Sequence, residues 1–292
     1  MALIIDGKAI AAQVRSEIEK EIKALQGRSV TPGLGVILVG ENPASMTYVK
    51  MKQKMCEELG IITKEFLPDA GITQEELMSL TNEFNSDPEI HGILIQLPLP
   101  DHIDEESALS NLSPEKDVDG FHPVNVGKMT LGEGGFTPAT PAGIRELLMK
   151  SGNDPEGKHV VIVGRSRLVG RPLLNLLTQK RKGGNATVTL CHTRTKDLSS
   201  HTNRADILIA AAGMPEFIDG SMVKKGVVVI DVGTNRVKDS TKKSGYKLVG
   251  DVHFDSVSEK AAAITPVPGG VGPMTIMMLM KNCVKAAGGW SS

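Results

Sequence analysis

Apolar positions along this chain follow two alternating rhythms: short unbroken runs, and longer stretches repeating near every 3.6 residues. That alternation predicts an α/β fold built on parallel sheets. Asp6 is placed to cap a long helix from Gly7 to Leu25, closed by Gly27. Leu34–Val39, Ile62–Leu67 and Ile90–Leu97 read as strands, the last broken by Pro98 and Pro100. Between the first two, Asn42-Pro43 opens a helix that runs to Leu59. Thr73-x-x-Glu76 is a capping box for a helix that stops before Asp87-Pro88. Gly132–Pro141, with three glycines and two prolines, reads as a linker into a second domain, and Thr140-Pro141 as the cap of a helix Ala142–Lys150. Beyond it, Lys158–Val163, Ala186–Cys191, Asp206–Ala210 and Val227–Val232 predict a second set of parallel strands, and Lys238–Tyr246 an exposed hairpin.

The most informative turn is Gly164-Arg165-Ser166-Arg167-Leu168-Val169-Gly170, between the strand Lys158–Val163 and a helix. A glycine turn opening a helix leaves backbone N–H groups free for a pyrophosphate. The spacing G-x-S-x-x-x-G departs from G-x-G-x-x-G, so the turn alone also suits an ordinary strand–turn–helix. The end of the next strand sharpens the choice. A unit that binds NAD carries a carboxylate there for the ribose hydroxyls, whereas this chain reads His192-Thr193-Arg194-Thr195. One cation and two hydroxyls suit a ribose 2′-phosphate, which favours NADP. After the strand Asp206–Ala210 come Ala211-Ala212-Gly213, small enough to let a flat ring approach the backbone or simply to pack closely. Arg165, Arg167 and Arg194 each also read as solvated surface charges, Arg167 foremost.

The helix from Pro43 holds a second candidate. On a helical wheel Tyr48, Lys52, Met55, Cys56 and Leu59 share one stripe, while Lys50, Gln53, Lys54, Glu57 and Glu58 lie opposite. Lys52 is thus a cation on the inward face, which snorkels out, finds a partner or gives up its proton easily. Gly92-Ile93-Leu94-Ile95-Gln96-Leu97 ends a buried strand on an amide, where ligands of open α/β sheets bind. Lys116-Asp117-Val118-Asp119-Gly120 adds two carboxylates just beyond. A carboxylate in a cleft suits a planar two-donor edge such as that of a pterin. Asp119 ranks above Asp117, which also reads as a cap or turn residue.

Composition narrows the partners. With 292 residues the chain has room for two domains, and a net charge of −1 with 3% aromatics argues against nucleic acid and anionic membranes. The start Met1–Lys8 does not read as a leader, and Met274–Met280 is too short to span a bilayer. Cys56, Cys191 and Cys283 form no C-x-x-C and read as reduced thiols in the cytoplasm, and the seven histidines show no metal-ligand spacing.

Taken together, these segments resemble the bifunctional methylenetetrahydrofolate dehydrogenase/cyclohydrolase family. The resemblance rests on Tyr48-x-x-x-Lys52, Gly92–Pro100 with its Q-L-P-L-P, Lys116–Gly120, Gly164-Arg165-Ser166 and Ile264–Thr275 with its P-G-G-V-G-P-M-T, in that order over nearly the whole chain. It implies two α/β domains: a substrate and catalytic domain from residues 1–141 and 273–292, and a Rossmann-type NADP-binding domain from 142–272. The last helix, opened by Pro273, would return to the first domain. The resemblance further implies Lys52 as the catalytic lysine, with Tyr48 its companion over the substrate and Gln96 tuning it. Asp119 becomes the pterin anchor, and Leu97, Pro268 and Gly272 join Tyr48, Gln96 and Asp119 around a reduced folate. The cofactor contacts become Gly164, Arg165, Ser166, Thr193, Arg194, Gly213 and Thr234, with Arg165 and Thr193 on the 2′-phosphate. Family members often carry serine at the place of Thr193; threonine keeps the hydroxyl. A homodimer is implied as well. Two rival readings explain less: an NADP dehydrogenase of a shikimate-like hydroxy acid leaves Gln96 and the P-G-G-V-G-P-M-T loop without a role, and a non-catalytic NADP-binding scaffold leaves the lysine without one.

Overall fold

The computed structural model describes residues 2–242 and 245–289. In chain order the elements are β1 (Leu3–Ile4), α1 (Gly7–Gln26), β2 (Gly33–Ile37), α2 (Pro43–Leu59), β3 (Ile62–Phe66), α3 (Gln74–Ser86), β4 (Gly92–Ile95), α4 (Glu105–Ser110), α5 (Pro123–Leu131) and α6 (Ala139–Lys150). They continue as β5 (His159–Val163), α7 (Gly170–Thr178), β6 (Thr187–Cys191), α8 (Leu198–Thr202), β7 (Ile207–Ala210), β8 (Val228–Asp231), β9 (Asn235–Lys238), β10 (Tyr246–Val249), α9 (Phe254–Ser258), β11 (Ala263–Ile264) and α10 (Val271–Ala287). Two compact units result. One comprises residues 14–139 and the chain from 276 onward; the other comprises 140–275 and the chain up to residue 13.

The first unit is built on a parallel sheet in the order β3-β2-β4. β2 and β4 are buried along their whole length, the mark of a sheet covered on both faces. A bridge between Ile93 and Asp117, with the Ile93 N–H donating to the Lys116 carbonyl at 2.7 Å, lays the segment after α4 parallel to β4. The anticipated capping box is present: Thr73 Oγ1 accepts from the Glu76 N–H, and Glu76 Oε2 from the Thr73 N–H. α10 closes this unit, its Asn282 amide donating to the carbonyls of Val118 and Thr137, and Lys285 to that of Gly135. Those bonds also fix the glycine-rich stretch after α5, which the sequence suggested was a linker.

The second unit has six parallel strands in the order β1-β11-β8-β7-β5-β6. After β6 the chain returns to the other side of β5 to form β7. This reversal places a crevice at the carboxyl ends of β5 and β7. β9 and β10 form an antiparallel hairpin, as expected around 238–246; residues 243 and 244 of that stretch lie outside the described residues.

Three placements differ from those expected. By compactness residues 2–13 group with the six-stranded unit, where Leu3 and Ile4 pair with Ala263 and Ile264 at the sheet edge. Two-residue strands carry no readable pattern, and their place is set by a partner about 260 positions away. The division at the other end falls at residue 276 rather than 273. Finally, α6 begins at Ala139, with Pro141 inside its first turn, where a missing N–H costs nothing; Thr140 Oγ1 pairs instead with Thr275 Oγ1 at 3.0 Å.

Candidate active site

Ser45, Val49, Lys52, Cys56 and Leu59 form the buried stripe of α2, at spacings of four and three residues. The stripe is therefore centred between Lys52 and Cys56 and takes in Val49 on one side, while Tyr48 stands beyond its other margin, 40% exposed rather than turned inward. Lys52 is only 8% exposed. Its Nζ donates to Gln96 Oε1 at 3.0 Å, and Gln96 Nε2 donates to the Leu97 carbonyl at 2.8 Å. The second bond fixes which end of the amide faces the lysine, so Lys52 meets an acceptor that adds no charge. Burial holds the Lys52 ammonium below its ordinary value, and the charge of Asp119 opposes that shift. Asp119 in turn is raised by burial to about 6, against the pull of Lys52. Of the three fates open to an inward lysine, this one finds a partner and releases its proton easily.

Asp117 and Asp119 are separated sharply by their surroundings. Asp117 is fully buried and accepts from the backbone N–H groups of Gly120, Phe121 and His122 and from the Asn125 amide, at 2.8–3.2 Å. It holds the turn that leads into α5. Asp119, half-buried two residues on, follows the strand-like segment beside β4, as Gln96 follows β4 itself. Asp117→Ala is expected to leave the Phe121 and His122 N–H groups without their acceptor, to take one of two acceptors from Gly120 and Asn125, and to destabilise the chain by about 3 kcal/mol. The urea midpoint, set against that of Asp119→Ala, measures this; equal midpoints would contradict it.

In the six-stranded unit, the carboxyl ends of β5, β6 and β7 surround a cavity of about 220 Å³. Gly164, Arg165, Ser166 and Thr193 line it as anticipated. Gly164 has φ +126°, and a Cβ there would lie 2.0 Å from the Ala211 carbonyl oxygen. Ser166 takes the place of the missing second glycine by ordering the turn: its Oγ accepts from the Val169 N–H at 3.1 Å, and its carbonyl from the Arg171 N–H. Arg194, Gly213 and Thr234 are exposed and do not line this cavity. The Arg194 N–H is turned onto His192 Nδ1 at 3.1 Å, and Gly213 directly follows the lining residue Ala212. Five lining residues went unassigned in the sequence: Val163, His192, Leu198, Met214 and Phe217. Met214 and Phe217 are apolar yet exposed by 45% and 38%. Such residues just after Ala211-Ala212-Gly213 were the available signal for a wall that takes a flat ring. Pro268 and Gly272 belong to this unit too, both exposed, on the loop ahead of and into α10.

Residues 5–119 match the catalytic domain of the tetrahydrofolate dehydrogenase/cyclohydrolase family, and residues 138–289 its NAD(P)-binding domain. The chain belongs to the tetrahydrofolate dehydrogenase/cyclohydrolase family. The bifunctional protein FolD of Moorella thermoacetica is 54% identical over 286 residues, covering 98% of this chain and 99% of its own. A crystal structure of the bifunctional FolD of Campylobacter jejuni superposes with a TM-score of 0.92 at 50% identity, over 99% of both chains. The Trypanosoma brucei FolD, solved with NADP and an inhibitor, gives 0.93 at 41% identity, over 98% of this chain and 97% of that one. The catalytic match spans Tyr48, Lys52, Gln96, Leu97 and Asp119; the NAD(P)-binding match spans the Gly164 turn and Thr193. The local chemistry fits NADP: a turn only glycine can make, a cation and a hydroxyl at the crevice, and no carboxylate on the lining after β6.

Proposed function

We propose that this chain oxidises 5,10-methylenetetrahydrofolate to the 5,10-methenyl form with NADP⁺ and hydrolyses that product to 10-formyltetrahydrofolate, with Lys52 as the acid–base group of the second step. The observation that carries the assignment is the buried Lys52 Nζ held on Gln96 Oε1. NADP⁺, when bound, accepts the hydride. A substrate nitrogen lone pair drives the hydride off, so the protein has chiefly to orient the rings. An easily deprotonated Lys52 avoids setting a full ammonium beside the developing methenyl cation. In hydrolysis its Nζ takes a proton from the water that attacks the methenyl carbon. It then returns that proton to the ring nitrogen released when the C–N bond breaks, while the hydroxyl on the same carbon loses its proton to solvent as the formyl C=O forms. Asp119, ionised above about pH 6, accepts from the two-donor edge of the pterin. Tyr48 and Leu97 flank the same substrate.

Arg165 and Thr193 bind the 2′-phosphate in this reading. Arg165→Ala is expected to raise KM for NADP⁺ by about 10- to 100-fold, the worth of one charge-assisted contact, while leaving KM for NAD⁺ nearly unchanged. An equal rise for both cofactors would remove Arg165 from the phosphate. The chain works as a homodimer in the cytosol. Burial of the free thiols of Cys56, Cys191 and Cys283 suits a reducing compartment, and sedimentation at twice the chain mass is the expected result.

The test is one assay with methylenetetrahydrofolate and NADP⁺ that follows reduced nicotinamide and the methenyl chromophore separately. Reduced nicotinamide without accumulating methenyl product is the expected outcome. Absence of nicotinamide reduction would remove the dehydrogenase assignment, and persistent methenyl product the hydrolase.

A further inference from the structure

Asp251 is fully buried, and among the described residues no cation forms an ion pair with it. Its partners are all dipoles, and two of the three donors to its carboxylate, Ala212 and Gly213, belong to the segment that carries part of the crevice lining. Oδ2 accepts from the backbone N–H groups of Ala212 at 2.6 Å and Gly213 at 2.9 Å. Oδ1 accepts from the Asn235 side-chain amide at 2.9 Å. One carboxylate thus joins the segments that leave the neighbouring strands β7 and β8 at their carboxyl ends. Its backbone extends the grip: the Asp251 carbonyl accepts from the Ile218 N–H and the Gly250 carbonyl from the Glu216 N–H, each at 2.9 Å. The strap Ala212–Ile218, which carries the lining residues Ala212, Met214 and Phe217, is therefore pinned at both ends to Gly250-Asp251. Glu216, at φ +52°, is strained within it and needs that restraint.

Asp251 is held from behind by a second buried carboxylate. Asp231 Oδ1 accepts from the N–H groups of Gly233 and Asp251, and Oδ2 from that of Val252, at 2.9–3.0 Å. A Cβ at Gly250 would lie 1.7 Å from Asp231 Oδ2, so a side chain there would evict the carboxylate.

Given the NADP-dependent reading above, the geometry points to Asp251 as a positioning residue for the dinucleotide, fixing the Ala212–Ile218 wall without touching the cofactor. A neutral amide replaces it poorly. Asn at 251 offers one uncharged oxygen to the two backbone N–H groups, and its NH₂ then faces the Asn235 amide, which has to turn over to accept.

The experiment uses full-length Asp251→Asn. NADP⁺ affinity is measured by calorimetry, dehydrogenase kinetics with NADP⁺, and hydrolysis of methenyltetrahydrofolate in the absence of nucleotide. The expected result is a Kd and KM for NADP⁺ raised at least tenfold, with hydrolysis within twofold of the parent. An unchanged Kd overturns the inference, and so does a parallel loss of both activities, which a purely structural role would give. Should Asp251→Asn not fold, Asn235→Ala removes one arm of the clamp and leaves the carboxylate; a threefold weaker Kd supports the inference and an unchanged one overturns it. Calorimetry keeps this test separate from the function itself, since a parent that binds NADP⁺ without turnover would fail only the latter.

Discussion

Lys52→Met is expected to lower methenyltetrahydrofolate hydrolysis by about 10²- to 10⁴-fold, the range that a positioned acid–base group contributes. Methionine preserves the length and packing of the lysine stem but supplies no exchangeable proton. The dehydrogenase half should survive in part, because the hydride is expelled by a substrate nitrogen, so methenyl product should accumulate. The same change bears on stability. In the folded chain Lys52 titrates below its ordinary 10.5, so between that lowered value and 10.5 the unfolded chain binds more protons. Stability accordingly rises with pH through this window, and the buried lysine is a burden below it. Lys52→Met removes the burden and flattens the rise. Asp119, relieved of a neighbouring cation, climbs further above 6 and returns part of the gain by becoming neutral. A higher urea midpoint at pH 7 with hydrolysis nearly gone is the combined expectation. Hydrolysis at the parent rate would end the assignment of Lys52, and a lower midpoint would contradict the account of its burial.

What the sequence made legible follows from the range of the forces involved. Helix starts are local, so Thr73 with Glu76, and Asp6 with its bonds to the N–H groups of Lys8 and Ala9, could be read directly. Lys52 stood out because a cation on an apolar stripe is anomalous within a single helix. The centre of that stripe was harder to place: a wheel drawn through Tyr48 leaves out Val49, and the error turned Tyr48 inward. Asp117 and Asp119 look alike in a five-residue run. Their fates diverge through the Ile93–Asp117 bridge and the Asn125 amide, both contacts across the chain. Long-range pairing also hid β1, and it hid Asp251, whose donors lie 16, 38 and 39 positions away. Asp231-Val232-Gly233 and Gly250-Asp251-Val252, each set at a strand end, were the only local hint. Loop side chains such as Phe217 obey no period at all, which left much of the crevice lining unassigned.

Gly164→Ala is expected to destabilise the chain by about 3 kcal/mol or more and to weaken NADP⁺ binding beyond about a hundredfold. The new methyl would sit 2.0 Å from the Ala211 oxygen and 2.7 Å from its carbon. Neither side can give way. The Ala211 N–H donates to the Val163 carbonyl at 2.8 Å and the Gly164 N–H to the Cys191 carbonyl at 2.9 Å, so the turn is laced to β7 and β6 together. Relief would mean opening the sheet at the carboxyl ends that form the crevice. Gly213→Ala is the informative contrast: its φ of +67° is also positive, but no atom lies within 4 Å of the added Cβ. It should cost only the conformational strain, about 1 kcal/mol. Thermal unfolding of the two variants separates steric collision from backbone strain. Methenyl hydrolysis, carried by Lys52 in the three-stranded unit, should persist in Gly164→Ala at temperatures where the chain stays folded. Parent-like NADP⁺ affinity in that variant would show that the Gly164 turn is not the dinucleotide cradle, and the pyrophosphate would then have to be sought elsewhere along the strand ends.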